Sequence, residues 1–179
     1  SLSLLGSRPM TFRVVVWGTG NVGRPAIRAV EAHRDLELVG VVVSNPAKVG
    51  KDAGELAGIA ALGVSATDNT EIAFADDVDC VVYAATADTR PMEAYMDLER
   101  LLRSGRNVVS TAFYPLLHPA SAPPELMGML TPAMDAGNSS VFVSGIDPGW
   151  ARHSPCPHQR YWSGYHRASH SGDFQLCAV

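Results

Sequence analysis

A glycine-rich turn between a valine run and a helical segment constrains the fold of this chain most. Residues 13–17 read Arg-Val-Val-Val-Trp and lead directly into residues 18–23, Gly-Thr-Gly-Asn-Val-Gly. The spacing matches the G-x-G-x-x-G turn that joins a parallel strand to a helix. There the first glycine permits a tight bend, the second a close backbone approach to a pyrophosphate, and the third close packing of helix on strand. The segment therefore predicts a dinucleotide-binding turn.

Up to about residue 150, short apolar runs alternate with segments of helical periodicity. The predicted strands are residues 13–17, 37–43, 63–66, 80–85, 107–111 and 141–144, and the predicted helices are residues 22–33, 92–104 and 125–136. Gly105 and Gly137 are placed to cap the last two helices. This alternation predicts an α/β fold with a doubly wound, Rossmann-type parallel sheet, in which ligands bind at the carboxyl ends of the strands.

The chain divides into three predicted parts. Residues 1–9 precede Met10 and are interpreted as a leader or upstream read-through, residues 10–150 as an NAD(P)-binding Rossmann domain, and residues 151–179 as an irregular tail. The tail has no sustained apolar periodicity, whereas plausible codons for residues 153–179 read one base later give helical and then strand-like apolar patterning. This favours translation out of frame, with a genuine divergent tail as the alternative. Its three clustered ligand-type residues match no standard zinc spacing, so no metal site is predicted from His153, Cys156 and His158.

Composition excludes two classes of partner. The net charge is −4 and the chain has only two lysines, Lys48 and Lys51, whereas binding to nucleic acid requires a clustered basic surface. The longest apolar run, residues 38–43, is far shorter than a membrane span. We therefore expect a cytoplasmic protein that binds a small molecule and neither nucleic acid nor membrane.

The residues after the second predicted strand bear on the choice of cofactor. An acidic residue about 20 positions after the glycine turn binds the ribose hydroxyls of NAD in such domains. Here Ser44-Asn45-Pro46 occupies that strand end. Ser44 and Lys48 are therefore predicted to lie beside the ribose, and the charges of Lys48 and Lys51 favour NADP over NAD. The alternative is that both lysines are solvated surface charges.

Three segments together resemble a known family, the dihydrodipicolinate reductase-like group of NAD(P)H-dependent amine dehydrogenases that includes 2,4-diaminopentanoate dehydrogenase. They are residues 14–23, residues 44–54 and Gly145-Ile146-Asp147-Pro148-Gly149. The resemblance implies an oxidoreductase that transfers hydride between NADP or NAD and a C–N carbon of an amino acid or cyclic imine. The alternatives are a catalytically inactive nucleotide-binding fragment and a regulatory Rossmann protein.

The glycine turn, the end of the second predicted strand and the resemblance together give the expected site residues. The expected cofactor-binding residues are Gly18, Thr19, Gly20, Asn21, Val22, Gly23, Ser44, Lys48, Ala85, Thr86 and Thr111. Thr86 and Thr111 would bond the carboxamide, or else merely terminate their strands. Asp147 is the candidate catalytic contact to a substrate amine, with a turn carboxylate bonded to nearby amides as the alternative.

Two further expectations follow from the same segments. His118, in a loop before Pro119, is interpreted as a surface residue more readily than as an active-site acid. The family relation implies a homo-oligomeric full-length protein with a second α+β substrate domain, which is largely absent from this chain.

Overall fold

A computed structural model describes residues 11–144, and they form a six-stranded sheet. The strands are β1 (Phe12–Trp17), β2 (Leu36–Val42), β3 (Ala66–Thr67), β4 (Cys80–Tyr83), β5 (Asn107–Ser110) and β6 (Val141–Val143). Their order is β3-β2-β1-β4-β5-β6, and every neighbouring pair is parallel. The doubly wound Rossmann-type sheet predicted from the sequence is confirmed.

Four α-helices and several short 3₁₀ turns connect these strands. The helices are α1 (Gly23–Ala32), α2 (Ala53–Ala57), α3 (Pro91–Arg103) and α4 (Pro124–Gly137). The 3₁₀ turns are Pro46–Lys48, Thr70–Phe74, Tyr114–Leu117 and Pro119–Ser121. No helix within residues 11–144 has the length and apolarity that a bilayer crossing demands.

The valine run of β1 is buried because both faces of the sheet are covered. Successive side chains of a strand point to opposite faces, so Val14 and Val16 belong to the core cluster that includes Ile27 of α1, whereas Val15 belongs to the core cluster that includes Leu98 of α3. Each of the three valines is at most 2% exposed. A continuous apolar run is the pattern that such a doubly covered parallel strand requires.

The structure differs from the predicted elements in three places. The third strand begins at Ala66 and not at residue 63, because Gly63 has a φ of +75° and lies in a turn. Helix α2 was not predicted. Helix α4 runs through Gly137, and Asn138, with a φ of 48°, takes the left-handed capping position that was assigned to the glycine.

Gly137 is required for a different reason from the one predicted. A Cβ at this position would lie 1.9 Å from the carbonyl O of Leu102, near the end of α3. The glycine therefore permits the close approach of α4 to α3. Gly105, with a φ of +85°, does take the left-handed conformation just after α3, as expected for a helix end.

Candidate functional site

A cavity of about 600 Å³ opens at the carboxyl ends of the strands. It lies where β1 has β2 on one side and β4 on the other, which is the point where the chain reverses its direction of progress across the sheet. Ligands of doubly wound folds bind in this crevice. All the predicted cofactor-binding residues except Gly23 line the cavity: Gly18, Thr19, Gly20, Asn21, Val22, Ser44, Lys48, Ala85, Thr86 and Thr111.

The first and third glycines of the turn are needed by the protein itself. Gly18 has a φ of +109°, and a Cβ there would lie 2.8 Å from the backbone of Ala84. A Cβ on Gly23 would lie 1.8 Å from the carbonyl O of Gly18. Gly23 therefore lets the first turn of α1 pack against the end of β1, which explains why it stands behind the cavity and does not line it.

The second glycine has no such structural reason. Nothing lies within 4 Å of a Cβ built on Gly20, its φ is not in the left-handed region, and the residue lines the cavity. The space that a side chain at Gly20 would take is therefore open to a ligand that approaches the backbone. A pyrophosphate fits this position, because phosphates bind where backbone amides are approachable at a helix N-terminus.

The N-terminus of α1 supports an anion at the same place. No side chain caps it, and no acidic residue lies in its first turn. The first amides of a helix have no intrahelical acceptor, and the helix dipole places partial positive charge on them. An anion in the cavity beside Asn21 and Val22 would accept hydrogen bonds from these amides and would be attracted by their partial positive charge.

Lys48 lies at the cavity but is bonded to the glycine turn. Its Nζ donates to the carbonyl O of Thr19 at 2.9 Å and to Thr19 Oγ1 at 3.0 Å. Lys51 does not line the cavity and forms an exposed ion pair with Glu55 at 3.2 Å. Of the two lysines considered for a 2′-phosphate, only Lys48 is therefore near the site, and it already has partners there.

Ser44 faces two cavities. It lines both the large cavity and a smaller one of about 260 Å³, and Arg90 also lines both. The Arg90 side chain is half exposed, and its guanidinium lies 4.0 Å from Asp97. This arginine is a cation facing the same space as Ser44, and it was not among the predicted site residues.

The loop from Ala84 to Arg90 was underestimated from the sequence. Only Ala85 and Thr86 were expected there, although every residue of the loop lines the cavity. The usable signal was the position of Arg90 directly before Pro91, since proline favours the first turn of a helix and so places Arg90 at the end of the loop. Thr86 also shapes the loop, because its Oγ1 accepts the amide of Asp88 at 3.3 Å.

A buried serine fixes the end of β5, where Thr111 was predicted to contact the cofactor. Ser110 Oγ donates to the carbonyl O of Tyr83 at 2.7 Å and accepts the amide of Ala112 at 3.0 Å. The first bond joins the ends of β4 and β5, and the second holds the segment after β5, in which Thr111 and Ala112 line the cavity. Sequence reasoning missed this role.

An aromatic cluster and a half-buried carboxylate lie beneath the site. Tyr83 packs against Trp17 and Phe113, with ring centroids 5.4 and 5.2 Å away. Its hydroxyl donates to Asp97 Oδ2 at 3.2 Å. Burial raises the pKa of the Tyr83 hydroxyl, and the charge of Asp97 raises it further. Burial also raises the pKa of Asp97, although the Tyr83 hydrogen bond and Arg90 oppose this shift. Asp97 also lines the smaller cavity, together with Ser44 and Arg90, so this hydrogen bond fixes a carboxylate beside those two residues.

Other candidate residues lie away from the cavity or outside the described residues. His118 does not line the cavity, and its Nδ1 lies 3.1 Å from Ser121 Oγ. Asp147 lies outside residues 11–144, as do the predicted leader, the tail and its group His153, Cys156 and His158. Within residues 11–144, no group of three or more His, Cys, Asp and Glu side chains could hold a metal ion.

Comparison with known proteins connects this site to a family. The family model described as dihydrodipicolinate reductase, N-terminus, matches residues 12–113. The chain is 56% identical over 137 residues to an amine dehydrogenase of Streptomyces virginiae, which covers 76% of this chain and 38% of that protein. It is 29% identical over 131 residues to a 4-hydroxy-tetrahydrodipicolinate reductase of Gloeobacter violaceus, covering 73% of this chain and 46% of that protein.

A solved structure agrees with these matches. The amine dehydrogenase of Mycobacterium smegmatis superposes with a TM-score of 0.63 at 25% identity, over 74% of this chain and 39% of that one. The chain thus spans less than half the length of the curated relatives and of this structure.

Proposed function

Since the chain belongs to the family of dihydrodipicolinate reductase N-terminal domains, we propose that residues 10–150 are the nicotinamide dinucleotide-binding domain of an oxidoreductase. The reaction is hydride transfer between the cofactor and a C–N carbon of an amino acid or cyclic imine. The observation that carries the proposal is Gly20, which lines the cavity although the protein itself gives no reason for a glycine there.

Each part of the cavity has a task in this proposal. The glycine turn and the N-terminus of α1 bind the pyrophosphate, Ser44 lies beside the adenosine ribose, and Ala85, Thr86 and Thr111 orient the nicotinamide. The bound cofactor supplies or accepts the hydride. The protein contributes orientation, because holding the two reacting carbons together removes much of the entropic barrier.

The preferred cofactor in this proposal is NADP. The absence of a carboxylate at Ser44 and Asn45 removes the usual partner of the NAD ribose hydroxyls. Arg90 supports the same preference, because it lines the same cavity as Ser44 and its guanidinium suits a phosphate monoester. NADPH is therefore expected to bind at least as tightly as NADH.

Asp147 is proposed as the contact to the substrate amine, and the substrate itself is proposed to be a small amine or imine. A carboxylate close to a C–N group stabilises its cationic form. Two observations support the choice of substrate class: the Streptomyces relative bears the name amine dehydrogenase, and the Gloeobacter relative bears the name 4-hydroxy-tetrahydrodipicolinate reductase. A homo-oligomer and a cytoplasmic location stay predictions.

The experiment that tests the proposal is a titration of the 179-residue chain with NADPH and NADH, monitored by nicotinamide fluorescence. Gly20→Val places a side chain in the phosphate position, so we expect binding of both cofactors to weaken roughly tenfold to a hundredfold, the value of one or more charge-assisted hydrogen bonds. Gly128→Val is the matched control, because Gly128 is exposed on α4 and a Cβ there meets nothing within 4 Å.

Equal affinity of wild type and Gly20→Val would refute the placement of the pyrophosphate. Weaker binding by Gly128→Val would show instead that a valine in place of a glycine reduces binding by destabilising the fold, even away from the cavity. If wild type binds neither cofactor, the proposed function is wrong.

A second candidate is a dinucleotide-binding fragment that turns nothing over. It is favoured by one observation, namely that the cavity and the glycine turn support dinucleotide binding whether or not a reaction follows. Assays of amine oxidation and imine reduction with both cofactors separate the two candidates, because turnover requires the substrate carbon to be held against the nicotinamide. Turnover by the 179-residue chain would exclude this second candidate.

A further inference from the structure

Lys48 joins two loops that meet at the cavity. From the loop after β2 its ammonium reaches Thr19 in the glycine turn and donates to the carbonyl O at 2.9 Å and to Oγ1 at 3.0 Å. A lysine ammonium has three donors, so a single threonine takes two of them. Lys48 is partly buried and Thr19 is only 6% exposed, which protects these bonds from competition by solvent.

The loop that carries Lys48 is itself held in place. The amide of Lys48 donates to the carbonyl O of Asn45 at 2.9 Å, and Asn45 Oδ1 accepts the amide of Ala47 at 3.0 Å. Two residues further on, the amide of Gly50 donates to the carbonyl O of Ala66 in β3 at 2.7 Å. The ammonium therefore extends from a backbone anchored to the sheet, so its bonds to Thr19 restrain the glycine turn.

We propose that Lys48 is a positioning residue of the glycine turn and does not read the 2′-phosphate. It holds Thr19, and with it the conformation of the adjoining residues that line the cavity, and it places one positive charge beside the pyrophosphate of either dinucleotide. This inference rests on the proposed function and replaces the expectation that Lys48 selects NADP. Its consequence is that Lys48 affects the affinity for NADPH and for NADH by the same factor.

Lys48→Gln, Lys48→Arg and a matched control, Lys51→Gln, test this role in the 179-residue chain. Lys51→Gln removes the same charge three residues away, but Lys51 pairs with Glu55 and does not line the cavity. Three quantities are measured for each variant: the Kd of NADPH, the Kd of NADH, and the hydrogen–deuterium exchange of residues 18–23 without cofactor. Thermal unfolding checks that each variant is folded.

We expect Lys48→Gln to weaken the binding of both cofactors by a similar factor, about tenfold, because the hydrogen bonds of a charged group are lost. Exchange in residues 18–23 becomes faster in the same variant. Lys48→Arg retains charge and donors and restores most of the affinity, and Lys51→Gln behaves as wild type. Thr19→Val keeps the carbonyl acceptor but removes Oγ1, so it changes affinity and exchange in the same direction by less.

Two results would overturn the inference. Weaker binding of NADPH alone in Lys48→Gln would mean that Lys48 reads the 2′-phosphate. Unchanged affinity for both cofactors, with unchanged exchange, would mean that the contact with Thr19 restrains nothing. Failure of the proposed function looks different, because the wild-type chain then binds neither cofactor, while exchange of residues 18–23 in the cofactor-free chain still reports on the restraint by Lys48.

Discussion

Replacing Gly20, Gly23 or Gly128 with alanine should have a different effect at each position. At Gly23 a Cβ would lie 1.8 Å from the carbonyl O of Gly18, whereas real Cβ atoms essentially never approach another heavy atom within 3.0 Å. The Gly18 carbonyl O is a backbone atom that cannot move aside as a flexible side chain can, so α1 and the end of β1 must separate to accommodate the methyl group. Overpacking of this kind costs about 1–3 kcal/mol of the free energy of unfolding. Each kcal/mol lowers the melting temperature by roughly 2–4 °C for a chain of this size.

Gly20 and Gly128 provide the comparison, because nothing lies within 4 Å of a Cβ at either position. Gly128→Ala should raise the free energy of unfolding by about 0.5–1 kcal/mol, since Gly128 lies inside α4 and alanine favours a helix interior. Gly20→Ala should leave stability within about 0.5 kcal/mol of wild type. It should nevertheless weaken dinucleotide binding, since its methyl group enters the space next to the proposed pyrophosphate.

Urea unfolding of the three variants, followed by NADPH titration of each, measures both effects. The reasoning requires Gly23→Ala to lose stability and Gly20→Ala to lose affinity while keeping its stability. If Gly23→Ala unfolds at the same urea concentration as Gly20→Ala, the close approach of α1 to the end of β1 is wrong. If Gly20→Ala binds NADPH as wild type does, the space beside Gly20 is not where the pyrophosphate lies.

Two further predictions concern charge. Ser44→Asp should shift the preference towards NADH, because the carboxylate provides a partner for the ribose hydroxyls and repels a 2′-phosphate. Ser44→Asn, which adds no charge, is the control, and an unchanged ratio of the two Kd values in Ser44→Asp would mean that Ser44 does not lie beside the ribose. Asp52→Asn should destabilise the fold at pH 7. The Asp52 carboxylate accepts the amides of Leu62 and Gly63 at 2.9 and 2.8 Å and two amides in the first turn of α2. These hydrogen bonds hold the pKa of Asp52 below its ordinary value of 3.8. A carboxyl whose pKa is lowered on folding contributes stability above its unfolded pKa and loses it as the pH falls through the folded value. The difference in free energy of unfolding between wild type and Asp52→Asn, measured with urea, should therefore shrink below about pH 3.8. A difference that is constant from pH 7 to pH 3 would contradict the assignment.

The sheet could be predicted because its signal is local. In β1 every side chain from Val14 to Trp17 is buried, so the apolar run is a direct record of two covered faces. Helix α3 is marked in the same way, since Leu98, Leu101 and Leu102 recur at helical spacing and are fully buried. Element ends agree with the prediction to within one or two residues, except in β3, where Gly63 turns the chain before the strand starts.

Helix α2 could not be found by periodicity because it is five residues long. Ala53–Ala57 is too short to show an apolar face. The signal lay in its cap, where Asp52 is followed by Glu55 and accepts two amides of the first turn. Asp52 also holds Leu62 and Gly63, ten and eleven residues away. Such a contact depends on how the chain returns to the helix, and no local pattern records it.

The same limit applies to Lys48. Its type and its place after β2 identified a cation near the cavity, but its partner, Thr19, lies 29 residues earlier in the chain. Only the register of β1 beside β2 brings these two loops together. The sequence therefore placed Lys48 at the cavity, but its two interpretations, a partner of the 2′-phosphate and a solvated surface charge, did not include a contact with the glycine turn.

The glycine turn illustrates why a sequence motif alone indicates less about function than the structure does. Three glycines at fixed spacing look equivalent in the sequence, yet the structure gives Gly18 and Gly23 reasons that any strand–turn–helix packing would impose. A protein that bound nothing at this cavity would still need both of them. It would have no need of Gly20, whose Cβ would meet no atom of the described residues within 4 Å. The functional weight of the motif therefore rests on the one glycine that the fold does not require, which is why its substitution, with Gly128 as control, is the decisive test of dinucleotide binding.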